Sequence, residues 1–334
     1  MNATTPRFAP VAESPRARVL RSVRGTAPIF LVLAVLLVWI AILNPNFTNP
    51  PVFLAFLKRA APLMLLAAGQ LFVIVSGEFD LSVGSLITAT VVVAARLIDG
   101  EPGRTWPVIA LLLGMGVLVG SINGVVTTRL RVPSFITTLG MLLVLEGAVF
   151  YWTGGAPRGS LPENFRQFGR FGFEGVPVIE QLPYSVVILL VLGAVAVVLL
   201  HRTTFGQQLF ATGGNARAAA LSGVAVARVR TVAFVLSALS AVVAGILLGG
   251  FAGVSAEVGA GYEFQAISAV VLGGATLGGG RGAMVAAIAG ALTLEALFTL
   301  LNLLGLPKPL RDAVQGAIII GAVAYAAYRL RGAR

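Results

Sequence analysis

Two carboxylates, Glu146 and Glu295, stand in the middle of long apolar runs. An ionised carboxylate in such surroundings is costly, so each must face a bundle interior, pair, or carry a proton. The chemistry open to them is a hydrogen bond between helices, contact with a polar solute in transit, or relay of a proton. A second group is Gly213-Gly214-Asn215-Ala216-Arg217-Ala218-Ala219-Ala220-Leu221-Ser222-Gly223. Its interior favours helix, Asn215 can cap the start and Gly223 the end. A helix of about two turns is marginal alone in water and needs a surface to rest on. That surface is either its own chain or another protein. A third group is Gly77-Glu78-Phe79-Asp80-Leu81-Ser82-Val83-Gly84-Ser85, where Asp80 or Ser82 can cap the helix that follows. The Gly278-Gly279-Gly280-Arg281-Gly282 run reads as a tight turn between helices.

Other chemistry is excluded by what is missing. A phosphate-binding loop of the form Gly-x-x-x-x-Gly-Lys-Ser/Thr needs a lysine, and the only lysines are Lys58 and Lys308. The chain therefore carries no nucleotide cofactor of its own; if ATP drives it, ATP and Mg sit on a separate subunit. With His201 as the single histidine and no cysteine, there is no thiolate or multi-histidine metal site. No Ser-His-Asp arrangement is evident, so an intramembrane hydrolase is not expected.

The elements that hold these residues follow from composition. Of 334 residues, 57% are hydrophobic and only 11% are charged, against about 25% charged in soluble domains. A mean hydropathy of +0.93 points to lipid as the solvent. A bilayer core takes about 20 apolar residues per helix. On that basis the sequence predicts an all-α membrane bundle of about ten spans: 27–43, 60–77, 81–99, 107–127, 134–153, 184–200, 231–251, 263–279, 283–304 and 310–328. Segments 81–99 and 263–279 are short and interrupted by glycine. Residues 48–59 suggest a separate interfacial helix, because Lys58 and Arg59 break the apolar run. Residues 1–26 read as a disordered basic tail, 27–328 as the membrane domain, and 329–334 as a short C-terminal tail.

Basic residues set the orientation. Arg7, Arg16, Arg18, Arg21, Arg24, Arg129, Arg131, Arg202, Arg217, Arg228, Arg230 and Arg281 then face the cytoplasm, as do both termini. Loop 154–183 lies outside and loop 201–230 inside. The net charge of +11 fits anchoring at a membrane surface rather than nucleic acid. No basic residue is expected near mid-depth as a counter-ion for Glu146 or Glu295. Gly116, Gly120 and Gly124 recur on one face of the fourth helix, a face suited to close helix contact. Residues 70–86 and 266–284 echo each other as helix, Gly-rich reversal and helix, which would suit a parallel repeat.

These strings also carry a resemblance. Gly77–Ser85 resembles the Gly-Gly-Ile-Asp-Leu-Ser-Val-Gly-Ser segment of the ribose-type ABC importer permeases, departing from it at Glu78 and Phe79. Val132-Pro133-Ser134-Phe135-Ile136-Thr137-Thr138-Leu139-Gly140-Met141 is similar to another signature of that family. So are Thr204-Phe205-Gly206 with Ala211–Asn215 and Leu221–Val224, and the stretch from Gly261 through Gly273-Gly274 to Arg281-Gly282. The resemblance implies a permease of the bacterial inner membrane, paired with a second copy or a close paralogue. It implies cytoplasmic ATPase subunits that dock on 213–223, and a periplasmic or lipid-tethered solute-binding protein. Asp80, Ser82, Gly84, Gly273, Gly274 and Arg281 fall in its motifs. Ala216 and Arg217 stand where the family often has acidic residues. Ribose, xylose, galactose or polyols are the implied solutes, with branched-chain amino acids or nucleosides in the wider group. A rival from another class is a proton-coupled transporter acting alone through Glu146 or Glu295.

Overall fold

The computed structural model describes residues 15–321 apart from 178, 308, 312, 315 and 319, with side chains from residue 27 onward. Residues 1–14, the tail 329–334 and the end of the segment expected over 310–328 lie outside these. The described chain is a helix bundle. Its helices are α1 (Pro15–Leu43), α2 (Pro50–Val75), α3 (Val83–Ile98), α4 (Thr105–Arg129), α5 (Ser134–Thr153), α6 (Glu163–Arg170), α7 (Tyr184–Arg202), α8 (Thr204–Gly214), α9 (Ala216–Leu221), α10 (Val226–Phe251), α11 (Tyr262–Leu272) and α12 (Met284–Leu303). Helical residues resume within 309–321. A hairpin of β1 (Gly172–Val176) and β2 (Glu180–Pro183) follows α6, antiparallel with Phe173 opposite Leu182.

Proline and glycine punctuate these helices as their backbone preferences require. Pro50 opens α2, where a missing N–H costs nothing, and Pro133 and Pro183 precede α5 and α7. Gly154 ends α5 in the left-handed region at φ 61°.

Several expected boundaries change. Among the described residues six helices are long and apolar enough to cross a bilayer, and residues 27–43, α3 and α11 are shorter apolar helices. Segment 48–59 is no separate interfacial helix: from Pro50 it is continuous with α2. Residues 15–26 are helical rather than disordered, part of α1. The segment expected over 263–279 stops at Leu272, because Gly273 caps it and Gly274 turns at φ 84°.

Two helices form the axis. From Ala60 to Val75 every residue of α2 is buried, and α10 packs along it and along α4. The α4–α10 crossing uses the glycine face read from the sequence. A methyl at Gly120 would lie 2.6 Å from Val235 Cα, and one at Gly124 would lie 2.6 Å from Thr231 Cα. Such backbone proximity lets dispersion act where lipid offers no hydrophobic drive. Gly120→Leu should therefore lower thermal stability in detergent, overpacking costing about 1–3 kcal/mol, whereas Gly114→Leu, with open space around it, should not. A detergent thermal-shift comparison of the two variants checks this.

The short helices α3 and α11 share an unusual placement. At 16 and 11 residues they reach about 24 and 17 Å, less than a bilayer core of about 30 Å. Each follows a 26-residue helix, α2 or α10, and a stretch without helix. In both cases a left-handed glycine stands two residues past the helix end, Gly77 at φ 86° and Gly253 at φ 82°. The starts of the two half-helices meet. Gly84 abuts the Glu263 carboxylate and the Gly259 carbonyl, and Gly259 N–H donates to Thr88 Oγ1 at 3.0 Å. Chain direction is opposite in the two units, since α3 and α11 run from this meeting point toward opposite ends of the bundle. The α2–α3 and α10–α11 units are thus inverted relative to each other, whereas the two reversals within 70–86 and 266–284 lie at one end of the bundle, as a parallel echo requires.

Candidate functional site

The glycine-rich strings, far apart in sequence, converge at the α8–α9 end of the bundle. Gly280 N–H donates to Val75 O at 2.9 Å, joining the reversal before α12 to the end of α2. Gly213, in the last turn of α8, lies directly on Val75 O and Gly280 N. A methyl at Gly279 would lie 2.8 Å from Gly77 Cα and 2.9 Å from Gly213 O. No residue with a Cβ fits among these three backbones. Arg230, in the first turns of α10, pins the same reversal: its Nη1 lies 2.7 Å from Glu78 Oε1, and Nη2 donates to Ser76 O at 3.3 Å. His201 Nε2, at the end of α7, accepts the Met284 N–H at 3.1 Å.

The short helix expected between Asn215 and Gly223 is α9, and it follows directly on α8. Thr203 caps α8, its Oγ1 accepting from Gly206 N–H at 3.3 Å. Asn215 caps α9, its Oδ1 accepting from Ala218 N–H at 3.0 Å. Gly223 leaves α9 at φ 85°. Ala219 is buried against the bundle, while Arg217 and Leu221 face outward, Leu221 at 85% exposure. Ala216 is half-buried and Gly214 has open space around its α-carbon. Leu221 is thus a single apolar side chain presented on the outer face of α9.

From Gly77 the chain climbs into the bundle. Asp80 and Ser82 are fully buried, and Asp80 Oδ1 accepts from Ser82 N–H at 3.0 Å and Ser82 Oγ at 2.6 Å. Asn123 Nδ2 donates to Ser82 Oγ at 2.9 Å, and Ser237 of α10 stands beside the carboxylate. Asp80 therefore braces the turn into α3 at the level of Ser237, about 17 Å along α10 from its start. The sequence placed this string as a cap and reversal between two helices; six of its nine residues are buried. Gly273 packs on Ala286, and Arg281 is exposed, its carbonyl accepting from Thr276 N–H at 3.2 Å.

The two mid-helix carboxylates differ. Glu295 is half-buried on α12, beside Tyr262 and within electrostatic reach of Arg59. The basic neighbour that the sequence did not offer arrives because α2 is one continuous helix. Glu146 is exposed on α5, amid exposed Leu143, Val144 and Phe150. It does not face the interior of this copy. Within its electrostatic reach is Glu263, 7% exposed at the start of α11, whose Oε1 accepts from Gly261 N–H at 3.3 Å. The left-handed Gly261, at φ 88°, starts α11 late, so Glu263 stands inside the bundle.

The family described as branched-chain amino acid transport system / permease component matches residues 52–323. The ribose import permease of Bacillus subtilis (strain 168) is 38% identical over 300 residues, covering 88% of this chain and 90% of that protein. The ribose import permease of Escherichia coli (strain K12) is 36% identical over 295 residues, covering 88% and 91%. An autoinducer 2 import system permease of Enterobacter sp. (strain 638) is 33% identical over 294 residues, covering 87% and 83%. No solved structure matches the chain.

Proposed function

Since the chain belongs to the permease component family of branched-chain amino acid transport systems, we propose that it is the membrane subunit of an ATP-binding-cassette importer for a ribose-like sugar or polyol. The observation that carries the reading is the junction at the α8–α9 end, where an outward-facing helix is fused by glycine contacts to both reversals of the bundle. Similarity to ribose and autoinducer 2 permeases supports the solute class. The α8–α9 end faces the cytoplasm, with both termini, as the arginine distribution favours. A separate ATPase subunit supplies ATP and Mg, and docks on α9 through Leu221. A solute-binding protein, periplasmic or tethered to lipid, meets the opposite end, where α6 and the hairpin lie. The bundle completes about ten spans, counting the short helices and the segment after α12.

The permease acts as a pair with a second copy or a close paralogue. An ionisable side chain at mid-depth on an otherwise apolar helix face is not left to lipid. Glu146 therefore turns α5 toward the partner copy and the solute path, with Glu263 behind it. Carboxylates accept hydrogen bonds from sugar hydroxyls, which fits the solute class. Force enters at Gly213 and moves the reversals at 76–82 and 273–283, each continuous with a half-helix. Nucleotide must favour one of the two access states by differential binding, since equal binding shifts nothing.

Uptake of labelled ribose into proteoliposomes, with the cognate ATPase and binding protein, tests the reading. Uptake should require ATP. Robust uptake driven by a proton gradient without the ATPase would overturn it in favour of a secondary transporter. In the same assay Glu146→Leu should lower uptake by about tenfold, the worth of one lost hydrogen bond. Glu146→Gln keeps an acceptor and should fall less.

A further inference from the structure

Beside the Glu78–Arg230 pair a cavity of about 430 Å³ opens, walled by the end of α4, the turn into α5 and the start of α10. Nothing in the transport reading uses it. Two of its polar groups are built in and unpartnered. Thr127 is 7% exposed, and its hydroxyl has no hydrogen-bond partner. Arg230 spends Nη1 on Glu78 and Nη2 on Ser76 O, but its Nε–H is buried without an acceptor. The neighbouring Thr128 hydroxyl is committed to Gly124 O at 2.7 Å, so the vacancy is particular to Thr127 and Arg230. A third donor, Arg131, stands at the rim, exposed and held in the left-handed region at φ 57°. Val132, Pro133 and Val226 supply apolar wall.

Buried donors left open cost free energy unless an acceptor arrives. Two guanidinium groups against one carboxylate leave the lining positive. A phosphate group presents several acceptor oxygens and matches guanidinium geometry, and the apolar wall suits a carbon body attached to it. We infer that this cavity binds a phosphate-bearing anion, its phosphate on Arg131 at the rim and, once their side chains turn outward to it, on Arg230 Nε and Thr127 Oγ1, its carbon body against Val132 and Val226. The anion competes with Glu78 for Arg230, so occupancy loosens the tie between α10 and the reversal after α2. The phosphate comes either from a lipid headgroup of the adjoining leaflet or from a soluble phosphorylated sugar in the cytosol; the second source rests on the orientation proposed above.

The test uses the purified full chain in nanodiscs, open on both faces, so its outcome is independent of orientation and of transport. In phosphatidylcholine discs, inorganic phosphate and a pentose 5-phosphate are titrated while thermal stability is read. In a parallel arm, native mass spectrometry counts phosphatidylglycerol retained from mixed discs. Thr127→Val keeps shape without the hydroxyl. Arg131→Asn suits the left-handed backbone without the charge. Saturable stabilisation by either soluble probe, weakened by about tenfold in each variant, supports the site and assigns a soluble ligand. Retained phosphatidylglycerol, lost from both variants, supports it and assigns a lipid. No saturable effect in either arm, or binding unchanged in both variants, overturns it.

Discussion

Gly213→Ala should cut ATP-driven uptake by about tenfold or more, while Gly214→Ala next to it leaves uptake within about twofold. The contrast comes from geometry alone. A methyl at Gly213 would sit on Val75 O and Gly280 N, the two ends of a hydrogen bond that joins the reversals. Losing that bond leaves a buried donor and acceptor, at about 1–3 kcal/mol, and overpacking adds a similar amount. At Gly214 the same methyl meets open space. Both variants should be monodisperse in detergent, because the methyl disturbs one junction at the end of α2 and leaves the rest of the core packed. Uptake per milligram of reconstituted permease, with ATPase turnover measured in parallel, reads the result. If Gly213→Ala transports normally, the junction is packing and not transmission.

Leu221→Asp should abolish recovery of the ATPase subunit in a pull-down and reduce uptake by about 100-fold. Burial of a leucine contributes about 1.5–3 kcal/mol, and a carboxylate buried without a partner adds its own cost. The side chain is 85% exposed in the isolated chain, so the substitution breaks no internal contact. Ala219→Asp is the complementary case. Ala219 is 5% exposed, so a charge there strikes the permease itself and should lower its stability before any partner is met. Undiminished ATPase recovery with Leu221→Asp would place the docking surface elsewhere, with Arg217 on the same helix the next position to examine.

How much of this was legible in the sequence differs from one element to the next. Apolar runs gave the membrane class and the long helices, since roughly 20 apolar residues have few other readings. The glycine triplet on α4 gave a true packing face, because i, i+4 spacing is local geometry. Asn215 and Gly223 gave the cap and end of α9 for the same reason. The half-helices were not legible. Hydropathy cannot tell 11 helical residues followed by an apolar turn from a full span, and residues 273–279 are apolar enough to pass for one. Nor could spacing show that Gly77, Gly213 and Gly279 touch, since that depends on where α2, α8 and the last reversal end in space. For Glu146 the sequence left an interior position, a partner or a proton as alternatives, since spacing on a wholly apolar helix does not say which face turns inward; the structure puts it on the outer face of α5. Glu78, a departure from the family string, finds its reason only once Arg230 is beside it.

If the permease pairs as proposed, the outward carboxylate on α5 has a cost for any copy that stays alone. Alone in the bilayer, such a subunit would hold Glu146 against acyl chains, a penalty of about 2.5–3.5 kcal/mol for a charged group at that depth. Stability differences of that size change cellular abundance several-fold through proteolysis. Unpaired subunits would then be cleared preferentially, and the level of the permease in the cell would track completed assemblies rather than the rate of synthesis.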